Sequence, residues 1–150
     1  MKKLHWCLKK AGGIRLIPPS EDVCKEYVKS SESNLATMLR LSGKWRTITA
    51  YYACYDCLYA ILQKIGIKSE IHDCSIEMMN LIVGFSDSDR DFLAGLKMDR
   101  IDVQYHLKQP KDVDTQRVRE FILTCKIIIA SIAEDQIKGI RARVVNVNPI

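Results

Sequence analysis

The chain has 150 residues, of which 47% are hydrophobic and 27% charged, and its formal net charge is +5. This length predicts one domain over residues 1–150 with its core at about 20–140, and the composition excludes an intrinsically disordered protein. No apolar run approaches the ~18 residues of a membrane span, and no apolar stretch follows Lys2 and Lys3 as it would in a signal peptide. We therefore expect a cytoplasmic protein without membrane contact.

The positive charge is concentrated at the two ends of the chain. Lysine and arginine occur at positions 2, 3, 9, 10 and 15 near the front, and at 138, 141 and 143 near the back. Such clusters suit a phosphate backbone. A need for solubility explains them equally well, so charge alone assigns no partner.

The hydrophobic pattern is helical almost throughout. The stretch PPSED at 18–22 predicts a helix start, because a serine caps free N–H groups and acids favour the positive end of the helix. This first helix is expected to end at Gly43. The second helix is predicted from about Lys44 to Ile65 and ends at Gly66. It is apolar nearly all round, which places it at the centre of a bundle or at a subunit interface.

Three more helices are predicted further along the chain. They cover roughly Ile71 to Val83, a helix that starts at the sequence SDSD (86–89), and about Val113 to Ile140. Beyond them the stretch RARVVNVN (141–148) alternates like a strand and could pair with GIRLI (13–17). The sequence therefore predicts an all-α fold, an antiparallel bundle of four to five helices with a short pair of strands near its ends.

The second helix also carries the cysteines and tyrosines that most resemble a site. Cys54 and Cys57 form C-x-x-C inside a helical pattern, whereas a redox pair would open a helix after a strand and a zinc site needs more ligands. We therefore interpret the six cysteines as small buried side chains, without a disulfide framework or a metal site. Aromatic stripes at this spacing are usually core, and we predict four buried side chains: Tyr52, Tyr55, Leu58 and Leu62.

The fourth predicted helix contains an arginine on its apolar side. Its inward positions are Leu93, Leu96, Arg100, Val103 and Leu107. A charge on such a line is costly unless it is paired or faces a cleft. His106 lies six residues after Arg100, about 120° around an ideal helix. The two side chains can converge only if the helix loosens before Pro110, or if a second subunit completes the site.

The stretch AYYACYDCLYAILQKIGIKSEIH (50–72), followed by RIDVQYH (100–106), resembles the HEPN family, the higher eukaryotes and prokaryotes nucleotide-binding domain. It is most similar to an archaeal branch of small stand-alone HEPN proteins, and the resemblance runs from about Asp22 to Ile137. The resemblance implies a helical bundle that forms homodimers. Many HEPN proteins are metal-independent ribonucleases whose signature is an arginine followed a few residues later by a histidine. Arg100 and His106 match that spacing.

Two departures from the family pattern separate the functional alternatives. Ile101 follows the arginine where the family often has asparagine, and Lys108 stands where toxin-type members have a tyrosine. In a ribonuclease, His106 would act as general base or acid, Arg100 would stabilise charge on phosphorus, and Tyr105 or Asp102 would orient them. The alternative is a non-catalytic nucleotide-binding subunit, or a partner of a nucleotidyltransferase in a toxin–antitoxin-like pair. A plain dimeric helical protein is the third possibility.

Two further residues have open roles at this point. Asp102 could neutralise Arg100 and give it a structural role. The resemblance suggests that His72 belongs to a site, beside Tyr52 and Asp56, whereas a histidine at a helix end often only bonds to the backbone. No cofactor is implied by any of these patterns.

Overall fold

The structure, a computed structural model, describes residues 2–147. Within this part of the chain there are seven α-helices: α1 (Lys2–Lys9), α2 (Glu21–Arg40), α3 (Gly43–Ile65), α4 (His72–Glu77), α5 (Asp87–Tyr105), α6 (Thr115–Ser131) and α7 (Glu134–Val147). A 3-10 turn, Met78–Leu81, follows α4, and two short strands, β1 (Arg15–Leu16) and β2 (Ile67–Lys68), pair antiparallel. The predicted all-α class is confirmed. No helix in the described range is both long and apolar enough to cross a bilayer.

Helix α3 forms the centre of the molecule, as its pattern predicts. It packs against α2, α5 and α6, and most of its 23 residues are buried. Its small side chains are fully buried where neighbouring helices approach: Ala50, Ala53, Cys54, Cys57 and Ala60. Of the four side chains predicted to be buried, Tyr55, Leu58 and Leu62 are buried, whereas Tyr52 is only half-buried. The reason is its place at the edge of the contact between α3 and α5.

Most helix ends follow the local signals in the sequence. The hydroxyl of Ser20 accepts a hydrogen bond from the N–H of Val23 at the start of α2. Ser86 forms a complete capping box with Asp89 at the start of α5. Gly66 ends α3 in the left-handed conformation, with φ of 88°. The expected stop at Gly43 is wrong: α2 already ends at Arg40, and Gly43 begins α3.

The predicted last helix is two helices, and the predicted C-terminal strand is helical. The chain breaks at Ile132 and Ala133, where the side chain of Gln136 accepts a hydrogen bond from the Ala133 N–H and caps α7. Residues 141–147 continue α7, so the strand prediction is wrong for them, and residue 148 lies outside the described range. The alternation of residue types in 141–148 misled the strand prediction. The buried positions are Ile140 and Val144, which are four residues apart, as on one face of a helix.

β1 therefore pairs with β2 instead of with the C-terminal segment. Helix α7 contacts the segments next to these strands through the side chain of Arg141. Nη1 of Arg141 donates to the carbonyl oxygens of Ile17, Ile65 and Gly66, at 2.9, 3.2 and 2.7 Å. A Cβ at Gly66 would lie 2.3 Å from that nitrogen. One guanidinium thus satisfies carbonyl groups at the end of α3 and just after β1.

The interpretation of all six cysteines as reduced is wrong for one pair. Cys7 and Cys74 form a disulfide with their Cα atoms 5.7 Å apart, which joins α1 to α4. Helix α1 was not among the predicted helices, so no sequence pattern indicated that these two residues come together. Cys24, Cys54, Cys57 and Cys125 are free and buried, as predicted.

Candidate functional site: an arginine among tyrosines

Arg100 is buried between α5 and α3, with only 8% of its surface exposed. Its guanidinium carbon lies 4.9 Å from the ring centre of Tyr51 and 5.4 Å from that of Tyr52. Nη1 donates to the hydroxyl oxygen of Tyr52 at 3.2 Å and to Oε1 of Gln104 at 3.3 Å. In residues 2–147, its Nε has no hydrogen-bond partner and no carboxylate forms an ion pair with it. The arginine is therefore a buried cation held by two aromatic faces and two neutral hydrogen-bond acceptors.

The prediction that these positions of α5 face inward is correct except for the last one. Leu93, Leu96 and Val103 are buried beside Arg100, but Leu107 is 81% exposed. The difference arises because α5 ends at Tyr105. Leu107 then takes a positive φ of 52° and leaves the helical path.

His72, the first residue of α4, belongs to the same group of side chains. Its ring stacks on Tyr55 with centroids 4.0 Å apart, and Nδ1 shares a hydrogen bond of 2.8 Å with the Tyr51 hydroxyl. Tyr52 contacts the ring edge-on at 6.3 Å. His72 thus lies close to Tyr52, as expected. Its side chain bonds to the Tyr51 hydroxyl, whereas the alternative had it bond only to the backbone. We call Arg100, Tyr51, Tyr52, Tyr55 and His72 the Arg100 cluster.

Burial and charge set the protonation of this cluster. Burial lowers the pKa of His72, and the positive charges of Arg100 and Lys97 lower it further, with Asp73 opposing. Burial also raises the pKa of Tyr51, although Arg100 partly counteracts this, and it raises the pKa of Tyr55 against a hydrogen bond with Ser75. At neutral pH the side chains of His72, Tyr51 and Tyr55 are therefore uncharged, whereas the guanidinium of Arg100 carries a positive charge. Such a group attracts an anion.

His106 lies at the other end of α5 in a different environment. It caps the helix, and 57% of its side-chain surface is exposed. Its Nδ1 lies 3.3 Å from Oδ1 of Asp102, which also contacts Nζ of Lys108 at 3.6 Å. The hydrogen bond from His106 lowers the pKa of Asp102, burial opposes it, and Lys108 adds to the lowering. Asp102 does not pair with Arg100, so the idea that it neutralises the arginine is wrong.

Arg100 and His106 do not come together within one chain. No hydrogen bond or ion pair joins them in residues 2–147, since Arg100 contacts Tyr52 and Gln104 and His106 contacts Asp102. α5 stays regular up to Tyr105, which preserves the angle between the two positions.

The remaining candidates lie away from the cluster. Tyr105 is 65% exposed on the surface of α5. Asp56 faces α2, where it accepts hydrogen bonds from Ser30 at 2.6 Å and Asn34 at 3.0 Å, so it is not beside His72. Burial raises the pKa of Asp56, and the two hydrogen bonds partly oppose this rise.

Sequence reasoning missed Tyr51 and Gln104 as members of the site. Tyr51 is fully buried and shares the only polar contact that His72 makes with the cluster in the described residues. Gln104 lies one helical turn after Arg100, which is the spacing at which side chains on one helix meet. That spacing was the available signal for Gln104. For Tyr51, no local signal distinguishes it from an ordinary core aromatic.

Other reactive groups offer little chemistry in the described part of the chain. No three histidine, cysteine or acidic side chains come together there as a metal ion would need. Burial raises the pKa of the Cys24 thiol to about 11 and also raises that of Cys54, so neither is a reactive thiolate at neutral pH. Neither the models of known protein families nor the sequences of curated proteins match this chain.

Proposed function

We propose that this is a HEPN-type protein whose Arg100 cluster binds a phosphate group of a nucleotide or of RNA, as a non-catalytic subunit. The observation that supports this most is the buried guanidinium, which forms no ion pair with a carboxylate of residues 2–147. A buried charge is costly when it is unpaired, and a phosphate would form charge-assisted hydrogen bonds with it. The cluster contains no carboxylate, and burial keeps the hydroxyls of Tyr51 and Tyr55 protonated by raising their pKa, so neither of these rings carries a negative charge that would repel the phosphate.

The phosphate would enter past Gln104, whose side chain is exposed. One phosphate oxygen would replace Gln104 Oε1 at Nη1 of Arg100, and the hydroxyl of half-buried Tyr52 would donate to a second oxygen. Tyr51 and His72 hold the guanidinium from the inner side through stacking and their shared hydrogen bond. This arrangement binds an anion without moving a proton, which agrees with a binding role.

We further propose that two copies form a homodimer through α3 and α5. Met98, Ile101 and Tyr105 lie one helical turn apart on the outer side of α5, and Met98 and Tyr105 are 51% and 65% exposed. Trp45, at the start of α3, is 55% exposed. Exposed apolar side chains at regular spacing are typical of a protein interface. A nucleotidyltransferase partner, as in a toxin–antitoxin-like pair, would use the same surface in place of the second copy.

A metal-independent ribonuclease is the second candidate function. It is favoured by the exposure of His106, which could reach the Arg100 of a second copy although it does not reach its own. His106 would then take the proton from the ribose hydroxyl, and Arg100 would stabilise the charge that develops on the phosphate.

Calorimetry with AMP and with inorganic phosphate tests the binding proposal. Arg100→Met should abolish binding, because the positive charge is lost while the side-chain volume is kept. Arg119→Met is the matched control, since Arg119 is exposed on α6 and lies outside the cluster. If wild-type protein binds neither compound, or if both variants lose binding equally, the proposal fails.

A nuclease assay on single-stranded RNA, with a chelator present, separates the two candidate functions. The binding proposal expects no cleavage by wild-type protein. Cleavage that is abolished by His106→Ala would establish the ribonuclease instead. Light scattering on the same samples tests the dimer, for which Met98→Glu should give monomers.

A further inference from the structure

The outward face of α1 consists of cations arranged around one tryptophan. The helix turns Leu4 and Cys7 towards the core, where both are buried. On its other side, Trp6 is 49% exposed. At 3.6 residues per turn, five positions fall within an arc of about 120° centred on Trp6: Lys2, Lys3, Trp6, Lys9 and Lys10. Lys10 stays in this arc because its N–H donates to the Trp6 carbonyl at 2.9 Å.

The four lysines of this face have no carboxylate partners in residues 2–147. Asp73 pairs with Lys97 at 2.7 Å, although the charge of Lys3 also helps to lower its pKa, and Glu70 pairs with Lys68 at 3.6 Å. Nζ of Lys10 lies 6.0 Å from the centre of the Trp6 ring. The face therefore presents an exposed aromatic ring with lysines on both sides that form no ion pair in the described residues.

A phospholipid membrane and a nucleic acid are the two negatively charged surfaces that such a face could meet. A helix that lies on a membrane buries an apolar face in the lipid. The apolar face of α1 is packed inside the protein and is joined to α4 through the disulfide of Cys7 and Cys74. It cannot turn outwards without breaking that bond, so the membrane is disfavoured.

We infer that the outward face of α1 binds single-stranded nucleic acid. Proteins that bind single strands combine cations along the backbone with aromatic rings on which bases stack, and this face provides both. A base would stack on Trp6, with phosphates on the lysines before and after it. The surface uses no residue of the Arg100 cluster, and its binding does not depend on what that cluster holds.

Fluorescence anisotropy with labelled oligouridylate and oligothymidylate tests the role of the tryptophan. Both strands should bind, and Trp6→Ala should weaken binding of each by about tenfold, the usual contribution of one stacked base. Trp45→Ala is the matched control, because Trp45 is 55% exposed and has Lys44 only 5.3 Å from its ring. Trp45 also lies on the proposed dimer surface, so light scattering fixes the oligomeric state of this variant and affinities are compared between samples of the same state. Binding that is unchanged in Trp6→Ala, or equally weakened in Trp45→Ala, would overturn the inference.

The salt dependence of binding gives a second measurement, which decides the matter if Trp6→Ala does not fold. The double substitution Lys9→Ala and Lys10→Ala should reduce the slope of log affinity against log salt by about 1.4. Each phosphate contact contributes about 0.7 to this slope for single strands. The control removes Lys25 and Lys44, which changes the net charge equally. Equal slopes for the two double variants would contradict the assigned surface.

Vesicles of phosphatidylcholine and phosphatidylglycerol test the membrane directly. Trp6 fluorescence is isolated in a Trp45→Phe background. It should be quenched by the oligonucleotides and unchanged by the vesicles. A blue shift with vesicles and no response to oligonucleotides would assign the face to a membrane and overturn the inference.

Discussion

Arg100 and His106 lie on the same helix, and α5 places them in two different environments. Arg100 is buried against the rings of Tyr51 and Tyr52 and forms no ion pair with a carboxylate in the described residues. His106 is exposed, lies at the end of the helix and has a carboxylate partner in Asp102. The cause is geometric, since six residues of regular helix turn the second side chain about 120° away from the first.

Two residues that are close in the sequence, such as Arg100 and His106, thus need not contact each other in the fold. The histidine that does belong to the Arg100 cluster is His72. It is distant in the sequence, lies on a separate helix and contacts Tyr51 and Tyr55. A test that disturbs one region and leaves the other unchanged therefore probes whether the two are independent.

The largest expected effect follows loss of the disulfide between Cys7 and Cys74. The bond spans 67 residues, and removing it with Cys7→Ser should cost about 4 kcal/mol by the loop-entropy relation. Because α4 carries His72, NMR signals of the cluster should shift while those of His106 stay in place. Thermal unfolding with and without reductant measures the stability. An unfolding temperature that reductant leaves unchanged would contradict this expectation.

Substitutions at the two positions of α5 should differ strongly in their cost. Arg100→Ala should lower the free energy of unfolding by about 2 kcal/mol or more, because it removes a buried side chain. Arg100→Met fills the space without the unpaired charge, so its change should stay within about 1 kcal/mol. His106→Ala should stay within about 0.5 kcal/mol, as is usual for exposed sites. Urea denaturation measures all three, and equal costs for the two alanine variants would show that the environments are not distinct.

The stability of the protein should depend on pH through His72. The folded-state pKa of His72 lies below its ordinary value of 6.5, so below that pH the unfolded chain takes up the proton more readily. The free energy of unfolding should therefore fall as the pH is lowered from about 7 to about 5. His72→Phe keeps the aromatic stacking and should flatten this dependence. An identical pH profile for wild type and His72→Phe would refute this explanation.

The smallest effect is expected for Asp102→Asn. The pair of Asp102 with His106 is exposed to solvent, and such pairs contribute little to stability. The unfolding temperature should stay close to that of wild type, and the NMR signals of His72 should not move. A large shift in the His72 signals would show that the end of α5 and the Arg100 cluster are coupled after all.

The sequence predicted features that depend on local pattern. The burial of Arg100 follows from its place between Leu96 and Val103, and the ends of α3 and α5 follow from Gly66 and Ser86. These predictions needed only helical periodicity and the hydrogen bonds that cap helix ends.

Features that depend on contacts between distant segments could not be predicted. The stacking of His72 on Tyr55 requires the turn through β2 to return α4 along α3. The disulfide requires α1 to lie on α4, and α1 itself is too short for its pattern to stand out. The break at Ile132 and Ala133 was hidden because both residues are apolar and preserve the helical period.

The contact of Arg141 with the end of α3 has a consequence for the order of folding during synthesis. Its bond to the Ile17 carbonyl spans 124 positions of the chain, and its bond to the Gly66 carbonyl spans 75. The last carbonyl groups of the central helix thus remain bound to water until nearly all of the described chain has left the ribosome. The end of α3 is thus unfinished in any nascent chain from which Arg141 has not yet emerged. We expect the fold of residues 2–147 to be completed in one closing step, when α7 leaves the ribosome and packs.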